Sequence, residues 1–479
     1  MKIKCNQFKE LSKKALADGY LQKALQRTVV RLMGMRNDAF SSLDHGEALR
    51  EQAHGIKTKT LDRLDEYLEK LEAKIVYLGG RVHWARDASE ARALIQRLAI
   101  ERGVKTVVKG KSMVTEEIAL NQGLMEEGID VSETDLGEFI IQLADEPPSH
   151  LVGPAIHKTK EQISRLFSEK LGARRMGDPE EMTLFARNTL RQRFLRADMG
   201  ITGVNFAVAE TGTLVLFENE GNIRLTTSLP KIHVAVMGLE KVVPTLEDLG
   251  PLMKLLARSC TGQKLSSYVS MITGPRREGE LDGPDEFHLV ILDNGRSQIL
   301  EDRDLRETLF CIRCGACLNF CPVYLKVGGH AYGWVYSGPI GSILTPQLID
   351  KKQAYPLPFI STLCGACAEV CPVKIDIPKI LVALRQRYME DPKWDRPRSL
   401  SEDFLLNLYG SLLRQRRIYE TASRMARVMQ SFFLKRGRFR IIPPPIRRWS
   451  SYHEVHPLER IPFRGLWKEL FRKDNGYKR

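Results

Sequence analysis

Seven of the nine cysteines lie within 61 residues and follow two related spacings. Residues 311–323 read CIRCGACLNFCPV, and residues 361–373 read STLCGACAEVCPV. The first run, C-x2-C-x2-C-x3-C-P, is typical of bacterial iron–sulfur proteins, in which three thiolates hold one cubane cluster and the fourth binds a second cluster. The second run repeats it, except that Ser361 stands where the first cysteine is expected. The spacing favours two iron–sulfur clusters over a structural zinc site, because zinc motifs pair two C-x2-C units across a longer gap.

The crossover of the fourth ligand assigns each cysteine to one of two clusters. Cluster A takes Cys311, Cys314, Cys317 and Cys371. Cluster B takes Cys321, Cys364 and Cys367, and its fourth position falls at Ser361. Three outcomes stay open for cluster B: a [3Fe–4S] cluster, a [4Fe–4S] cluster whose fourth iron binds Ser361, another protein group or water, or an open iron that binds substrate as a Lewis acid. We favour electron transfer for both clusters, with a purely structural role as the alternative.

The residues around the two motifs predict a helix on each side of a long connection. Residues 300–318 begin helically and run into the first motif, and residues 375–391 have the apolar spacing of a helix. The connection at residues 327–362 is rich in Gly, Pro and aromatic residues. This composition predicts a loop wrapped over a buried cofactor.

Upstream of the cysteines, residues 75–300 alternate short β-rich runs with helical runs, which predicts a mostly parallel α/β layer domain. KTVVKG (105–110) is a predicted strand, and residues 112–128 form a predicted helix that Ser112 caps and Gly128 ends. The chain thus divides into a helical N-terminal region at 1–75, an α/β domain at 76–300, an iron–sulfur domain at 301–400 and a basic helical, proline-containing C-terminal tail at 401–479.

The charge of the chain is concentrated in its tail. The 479 residues are 43% hydrophobic and 28% charged, with a net charge of +14, and residues 411–479 contain 18 Lys and Arg against 5 Asp and Glu. The tail begins helically, and its PPP run excludes a helix there. It is expected to dock on an acidic partner or an anionic membrane surface, or to be simply a solvated end, and no nucleic acid is expected.

Targeting signals are not evident, so the expected location is the cytoplasm, peripheral to the membrane if the tail binds there. No apolar run approaches the roughly 18–20 residues of a membrane span, and the N-terminus lacks the apolar region of a secretory signal. Clustered cysteines in such a chain indicate metal rather than disulfides. Cys5 and Cys260 stand alone and are expected to be an ordinary thiol and a buried small apolar residue.

Two further blocks resemble one protein family. Residues 109–157 contain KGKSMVTEEIAL and ETDLGEFIIQLADEPPSHLVGPAIHKTK, and residues 201–221 read ITGVNFAVAETGTLVLFENEG. Together with the double cysteine motif, including the CGACAEVCPVKI version without its first cysteine, they resemble the iron–sulfur subunits of bacterial L-lactate utilisation systems, the lactate utilization protein B family. The resemblance extends from about residue 10 to about residue 450.

This resemblance implies a fold and a function. The α/β part is expected to be a LUD domain, similar in fold to the sugar-phosphate isomerase and CoA-transferase-like group, and the cysteine part an α-helical ferredoxin. Family membership implies electron transport during oxidation of L-lactate to pyruvate, alongside two partner proteins. The alternatives are a catalytic L-lactate dehydrogenase subunit that binds lactate in the LUD crevice, and a cluster-stabilised scaffold.

Other polar residues of the α/β part are weaker candidates. Lys109, Lys111 and Ser112, between a strand and a helix N-terminus, are placed to bind an anion such as a lactate carboxylate or a phosphate, although turn and capping chemistry explains them as well. Glu210 opens the turn Glu210–Thr213 between two apolar strands, where an α/β crevice takes ligands.

Two histidines, His150 and His157, lie seven residues apart around a Gly-Pro. One of them is a candidate base, both are candidate metal ligands with Asp135 or Glu138, and a structural role is the alternative. A GxGxxG fingerprint and a nucleophile elbow are both missing, so a nicotinamide site is unsupported, whereas a flavin stays open.

Overall fold

The computed structural model describes residues 3–391, 394, 400–435, 438–439, 456–459 and 461–474. The chain forms two compact units, Met1–Arg396 and Pro397–Arg479. The strands of the first unit are β1 (Arg81–Ala85), β2 (Thr106–Lys109), β3 (Asp130–Glu133), β4 (Met199–Gly203), β5 (Phe206–Val208), β6 (Thr213–Glu218), β7 (Ile232–Gly238), β8 (Val242–Val243), β9 (Tyr268–Ile272) and β10 (Glu286–Leu292).

Six of these strands form an all-parallel sheet in the order β1-β10-β7-β4-β2-β3. The register places Val234 of β7 between Ile201 of β4 and His288 of β10. All seven residues of β7 are buried, as expected for a parallel strand that is covered on both faces. The predicted parallel α/β domain is therefore confirmed, and its strand at 105–110 is β2. A second, mostly antiparallel sheet has the order β8-β5-β6-β9.

The α-helices of this unit are α1 (Phe8–Ala17), α2 (Gly19–Ser41), α3 (Gly46–Asp62), α4 (Leu64–Tyr77), α5 (Ala88–Glu101), α6 (Met113–Glu117), α7 (Leu120–Glu126), α8 (Leu136–Ala144), α9 (Lys160–Leu171), α10 (Pro179–Arg196), α11 (Asn222–Ser228), α12 (Leu246–Thr261), α13 (Arg296–Glu301), α14 (Ala316–Asn319), α15 (Tyr324–Val327), α16 (Gly338–Leu348), α17 (Lys351–Ala354), α18 (Ala366–Glu369) and α19 (Ile377–Glu390). Short 3-10 helices span Cys5–Gln7, Leu239–Lys241, Arg306–Phe310, His330–Tyr332 and Leu357–Ile360. The predicted N-terminal helices correspond to α1–α4, and the helix after the second motif is α19.

One predicted helix is divided in two. Ser112 caps α6 by accepting a hydrogen bond from the Thr115 amide (3.3 Å), as predicted. The helix then ends, because Ala119 has a left-handed backbone (φ +51°), and α7 starts in a new direction. The turn lets Leu120 and Leu124 enter the core beside β3.

The connection between the cysteine motifs is not the predicted loop. It contains α16, whose residues 338–347 are all buried. Both residue types fit this helix. Pro339 lies in its first turn, where the backbone N–H has no partner within the helix. Gly341 packs so closely that a Cβ there would lie 2.2 Å from the carbonyl oxygen of Tyr336. The segment is therefore core that encloses the first motif.

A single apolar core joins the N-terminal helices, the second sheet and the cysteine segment. Leu71 and Ile75 of α4, Val215 of β6 and Leu318 of α14 are all fully buried in it. The cysteine segment is thus packed against the α/β part and shares its core.

The second unit consists of α20 (Leu400–Arg414), α21 (Arg416–Ser431), β11 (Leu434–Lys435), β12 (Arg438–Phe439) and α22 (Phe463–Asp474). The helical start of the tail is confirmed. The predicted helix-free PPP run lies outside the described residues. In the described part of the chain, none of the helices has both the length and the apolarity to cross a bilayer.

Candidate functional site

All nine cysteines are free thiols, and four of them surround one small cavity. These four are Cys311, Cys314, Cys317 and Cys371. Apolar side chains complete the wall, among them Ile312, Ile340 and Ile375. Burial, and then the neighbouring Cys371 and Cys311, raises the pKa of Cys314 well above its ordinary value. The structure thus brings together three cysteines of the first motif and the last cysteine of the second.

The other three motif cysteines form a second group beside the first. Burial, followed by the neighbouring Cys321 and Cys364, raises the pKa of Cys367 to about 12. The charge of Cys367 also raises the pKa of Cys317, so the two groups are close to each other. Cys364 is exposed, and Ser361 is partly exposed. The second group therefore lies at the surface, whereas the first is mostly buried.

The two motif loops have the same backbone conformation. Arg313 and Gly315 in the first motif have φ values of +61° and +81°, and the corresponding Leu363 and Gly365 have values of +54° and +86°. Left-handed residues are costly for non-glycine side chains and persist where the surroundings require them. The repeated sequence is therefore also a repeated structure.

Backbone amides point at several of the sulfur atoms. The Arg313 amide donates to Sγ of Cys311 (3.4 Å), and the Ile375 amide donates to Sγ of Cys371 (3.4 Å). In the second group, the Tyr324 amide lies 3.5 Å from Sγ of Cys321. Hydrogen bonds to ligand sulfur stabilise the anionic thiolate and tune the potential of a cluster.

Basic side chains from α2 and α3 hold the second motif. Arg50 donates from Nε (3.1 Å) and Nη2 (2.8 Å) to the carbonyl oxygen of Cys371. Buried Arg36 donates to the carbonyl oxygen of Val370 (3.1 Å). Their charges offset part of the negative charge that several thiolates accumulate.

Next to the first group lies a buried ion network. Arg296 pairs with Glu117 (2.8 Å) and with Glu240 (2.8 Å), and these three side chains are 0–1% exposed. Glu240 also accepts from Nη2 of Arg313 (3.2 Å), and the Tyr336 hydroxyl donates to Glu117 (2.7 Å). The network joins α6, the end of β7 and the start of α13 to the first cysteine motif.

A larger cavity of about 490 Å³ lies between the α/β part and the first motif. Cys314 lines both this cavity and the small cysteine-lined one. Lys111, Lys241 and Arg313 are among its cationic lining residues. Burial, together with the charge of Arg313, lowers the pKa of Lys241 to about 8.

The predicted anion site at residues 109–112 is split by the structure. Lys109 is fully buried and pairs with Glu133 (2.8 Å) and Glu116 (3.1 Å), so its ammonium is already neutralised. Lys111 and Ser112 line the large cavity, and Ser112 also caps α6. Glu210 is exposed, accepts from the Leu246 amide (3.3 Å) and is not among the cavity-lining residues.

The two candidate histidines have separate surroundings. His150 lines the large cavity, and its Nδ1 accepts from the amides of Val152 (3.0 Å) and Gly153 (3.1 Å), which leaves Nε2 to donate to Oδ1 of Asn319 (3.2 Å). Burial, reinforced by Lys111, lowers the pKa of His150 to about 3. Both ring nitrogens are therefore occupied and the ring is neutral.

His157 lies near a different set of ligand-type atoms. Its Nε2 is 2.7 Å from Oε2 of Glu146, and its ring packs on His330 with centroids 4.5 Å apart. Of the proposed acidic partners, Asp135 caps α8, and Glu138 lies with Glu116 and Glu133. Neither carboxylate shares a group of ligand-type atoms with His150 or His157 in the described residues.

The residues present fit iron–sulfur clusters. The first group offers thiol sulfur and amide N–H groups in largely apolar surroundings, and burial there disfavours thiolates that no metal neutralises. Soft sulfur donors are the ligands that such clusters require. Four sulfurs are available for cluster A, and three sulfurs for cluster B.

Several residues of this region give no signal in the sequence. Arg313 lies inside the first cysteine motif, and the spacing of the motif does not predict that its side chain binds Glu240. Lys241, Glu117 and Arg296 are far apart in the chain and meet only in the fold. Gly238, two residues before Glu240, is the local feature of the sequence that points to this close packing, because a Cβ there would lie 2.1 Å from Oε2 of Glu240.

Comparisons with known proteins agree with this architecture. Residues 68–292 match the LUD domain family, and residues 307–375 match the 4Fe-4S dicluster domain family. The second match confirms iron–sulfur clusters as the predicted cofactor class, and the iron content of each cluster stays a prediction. A solved DUF162 family protein from Deinococcus radiodurans is 14% identical over 48% of this chain and 98% of its own, with a TM-score of 0.28, which is too low to carry weight.

Close relatives span the whole chain. Lactate utilization protein B of Shouchella clausii is 43% identical over 98% of both chains. The protein of the same name from Bacillus licheniformis is 43% identical over 99% of both, and that of Bacillus cereus is 44% identical over 98% of both. The resemblance inferred from the sequence is confirmed, and the chain belongs to the lactate utilization protein B family.

Proposed function

We propose that this chain is an iron–sulfur electron-transfer protein of a lactate-utilising system. The observation that carries the proposal is the arrangement of the seven motif cysteines in two neighbouring groups, each drawn from both motifs. The relatives' name supplies the link to lactate utilization. Clusters bound at the two groups would supply reversible one-electron transfer.

The residues around the two groups suit different tasks. Around cluster A, the apolar wall excludes water, and amides and arginines compensate negative charge. Around cluster B, Cys364 is exposed, so a partner protein can approach closely. We infer that the surface of cluster B faces the redox partner. The resemblance to the family suggests two such partner proteins.

The test is anaerobic purification followed by metal and sulfide analysis and electron paramagnetic resonance in the oxidised and reduced states. Iron and acid-labile sulfide with two distinct signals support the proposal. An oxidised-state signal typical of a three-iron cluster identifies cluster B as [3Fe–4S]. Zinc in place of iron contradicts the proposal.

A catalytic role is the second candidate, because the cavity beside Cys314 can accommodate a substrate. The purified protein distinguishes the two roles: reduction of a dye by lactate without partners supports catalysis, and cluster reduction only with partners present supports transfer. A scaffold gains support if Cys314→Ala leaves the activity of a folded complex intact.

We also infer that the tail docks on an anionic surface, either an acidic partner or a membrane. Helix α21 exposes apolar side chains, including Met425 (59%) and Val428 (64%), beside arginines such as Arg424 and Arg427. An amphipathic basic helix with no core of its own is suited to binding at an anionic interface.

A further inference from the structure

The large cavity opens at the carboxyl ends of three neighbouring parallel strands. Lys111 follows β2, Val204 follows β4 and Lys241 follows β7, and all three residues line the cavity. Strands β7, β4 and β2 are adjacent in the sheet. In open α/β sheets, ligands bind in the crevice outside the carboxyl ends of the strands. The position of this cavity is therefore that of a ligand site.

Three cations of the cavity wall have unused hydrogen-bond donors. Arg313 is 9% exposed, and within the described chain no group accepts a hydrogen bond from its Nη1. In residues 3–391, neither Lys111 nor Lys241 has a carboxylate within ion-pair distance. A buried guanidinium nitrogen without an acceptor is costly, so an anion bound in the cavity would supply a partner that the described chain does not.

The carboxylates of the cavity do not fill this need. Glu240 is bound to Arg296 and to Nη2 of Arg313. Glu218 accepts from the amides of Ile223 (2.6 Å) and Arg224 (3.0 Å) at the start of α11. Glu220 accepts from the Leu136 amide (3.0 Å), and Asp135 accepts from the Glu138 amide (3.1 Å). The acidic side chains are thus engaged within the protein, while the cations on the cysteine side are left with donors for an anion.

We propose that this cavity binds the carboxylate of a 2-hydroxy or 2-oxo acid, with Arg313 and Lys241 as its cationic partners, against the Cys314 wall of cluster A. The identity of the acid rests on the proposed role in lactate utilization, whereas the anion site rests on geometry alone. A guanidinium with a free N–H is suited to a carboxylate, since charge-assisted hydrogen bonds of this kind are the strongest in proteins.

The volume defines the range of acids. A cavity of about 490 Å³ exceeds the needs of a three-carbon acid, and Met113 and Leu256 supply apolar wall. We therefore expect acids with longer apolar side chains to bind at least as tightly as lactate. His150 positions the wall beside Gly315 and exchanges no proton with the acid, because both of its nitrogens are occupied.

The test is calorimetric titration of the anaerobically purified protein, with both clusters intact. The probes are L-lactate, pyruvate, 2-hydroxy-4-methylpentanoate and the neutral lactamide. We expect saturable binding of the three acids and none of lactamide. Loss of one charge-assisted hydrogen bond in Lys241→Met should weaken binding about tenfold or more. Lys231→Met, an exposed lysine outside the cavity, is the matched control and should change affinity less than about twofold.

A second readout reports on position. Acid bound beside Cys314 should shift the resonance spectrum of reduced cluster A, and Lys111→Met should lessen that shift. Absence of saturable acid binding, equal binding of lactamide, or equal weakening by Lys231→Met would overturn the proposal. Lys111→Met decides the case if Lys241→Met loses its clusters. Intact, reducible clusters without acid binding would leave the electron-transfer function standing, so the two failures are distinguishable.

Discussion

Ser361 occupies in the second motif the position that Cys311 occupies in the first, with the same local hydrogen bond. Sγ of Cys311 accepts from the Arg313 amide at 3.4 Å, and Oγ of Ser361 accepts from the Leu363 amide at 3.1 Å. The amide donors Arg313 and Leu363 are both left-handed. The second motif therefore presents an oxygen at the position where the first motif presents a sulfur.

We expect Ser361→Cys to complete a four-thiolate site without rebuilding the loop. The added thiolate brings negative charge, so the reduction potential of cluster B should fall, and a three-iron cluster should gain an iron atom. Redox titration followed by electron paramagnetic resonance measures both changes. Ser361→Ala is the control: unchanged iron content and potential there would show that the serine hydroxyl is not a ligand. An unaltered spectrum in Ser361→Cys would contradict the equivalence of the two positions.

The last cysteine of the second motif should belong functionally to the first cluster. Cys371→Ser is expected to damage cluster A, because Cys371 lines one cavity with Cys311, Cys314 and Cys317. Cys364→Ser should damage cluster B instead. Iron content and the two resonance signals of each variant give the answer. Loss of the cluster B signal with cluster A intact in Cys371→Ser would refute the crossover.

The buried ion network should be a large contributor to stability. Arg296→Met leaves Glu117 without its bidentate partner and weakens the neutralisation of Glu240, both fully buried. Breaking a buried pair costs about 3–5 kcal/mol. Chemical unfolding followed by circular dichroism measures the loss. Arg306→Gln is the control, since its pair with Asp62 is 30% and 52% exposed and is worth about 0–1 kcal/mol. Equal effects of the two substitutions would contradict this assignment.

Stability should decrease with acid through His233. Burial, and then neighbouring His288, lowers the pKa of His233 from 6.5 to about 3 in the folded chain. Below pH 6.5 the unfolded chain binds the extra proton and the folded one does not, so the unfolding free energy falls as pH falls, by about 1.4 kcal/mol per pH unit between these values. In His233→Gln this part of the slope should vanish. Chemical unfolding of the wild type and of His233→Gln at pH 7.5 and 5.5 measures the difference. An equal loss of unfolding free energy in both proteins would disprove the contribution of His233.

The tail should bind anionic vesicles if its target is a membrane. Replacement of Arg416, Arg417, Arg424 and Arg427 of α21 by Gln should weaken binding by about 1 kcal/mol per residue. Co-sedimentation with vesicles that contain anionic lipid, at low and high salt, measures the effect. Wild-type protein that ignores these vesicles but binds an acidic partner protein would identify the partner as the target.

Local patterns predicted much of the fold. The cysteine spacing, the strand at 105–110, the cap at Ser112 and the parallel sheet all follow from neighbours in sequence, and each is present. Features that depend on contacts between residues distant in the chain are not predictable from local patterns. Lys109 pairs with Glu133 and not with a bound anion, and the predicted loop is the buried helix α16, whose glycines and prolines serve close packing.

The site was predictable only in part for the same reason. A seven-residue spacing does not bring His150 and His157 together outside regular structure, and their partners Asn319 and Glu146 come from elsewhere. The four-region division of the chain, with boundaries at residues 75, 300 and 400, stays a prediction. Residues 1–396 pack as one unit, in which the predicted iron–sulfur region shares its core with the N-terminal helices.

The salt-bridged quartet of Glu117, Arg296, Glu240 and Arg313 ties the first cysteine motif to the elements at the end of the parallel sheet. Movement of the cysteine segment away from the sheet would leave at least one of these charges unpaired in the protein interior. We therefore expect the large cavity and the first cysteine group to keep a fixed distance, and any gating to come from side chains or from partner proteins.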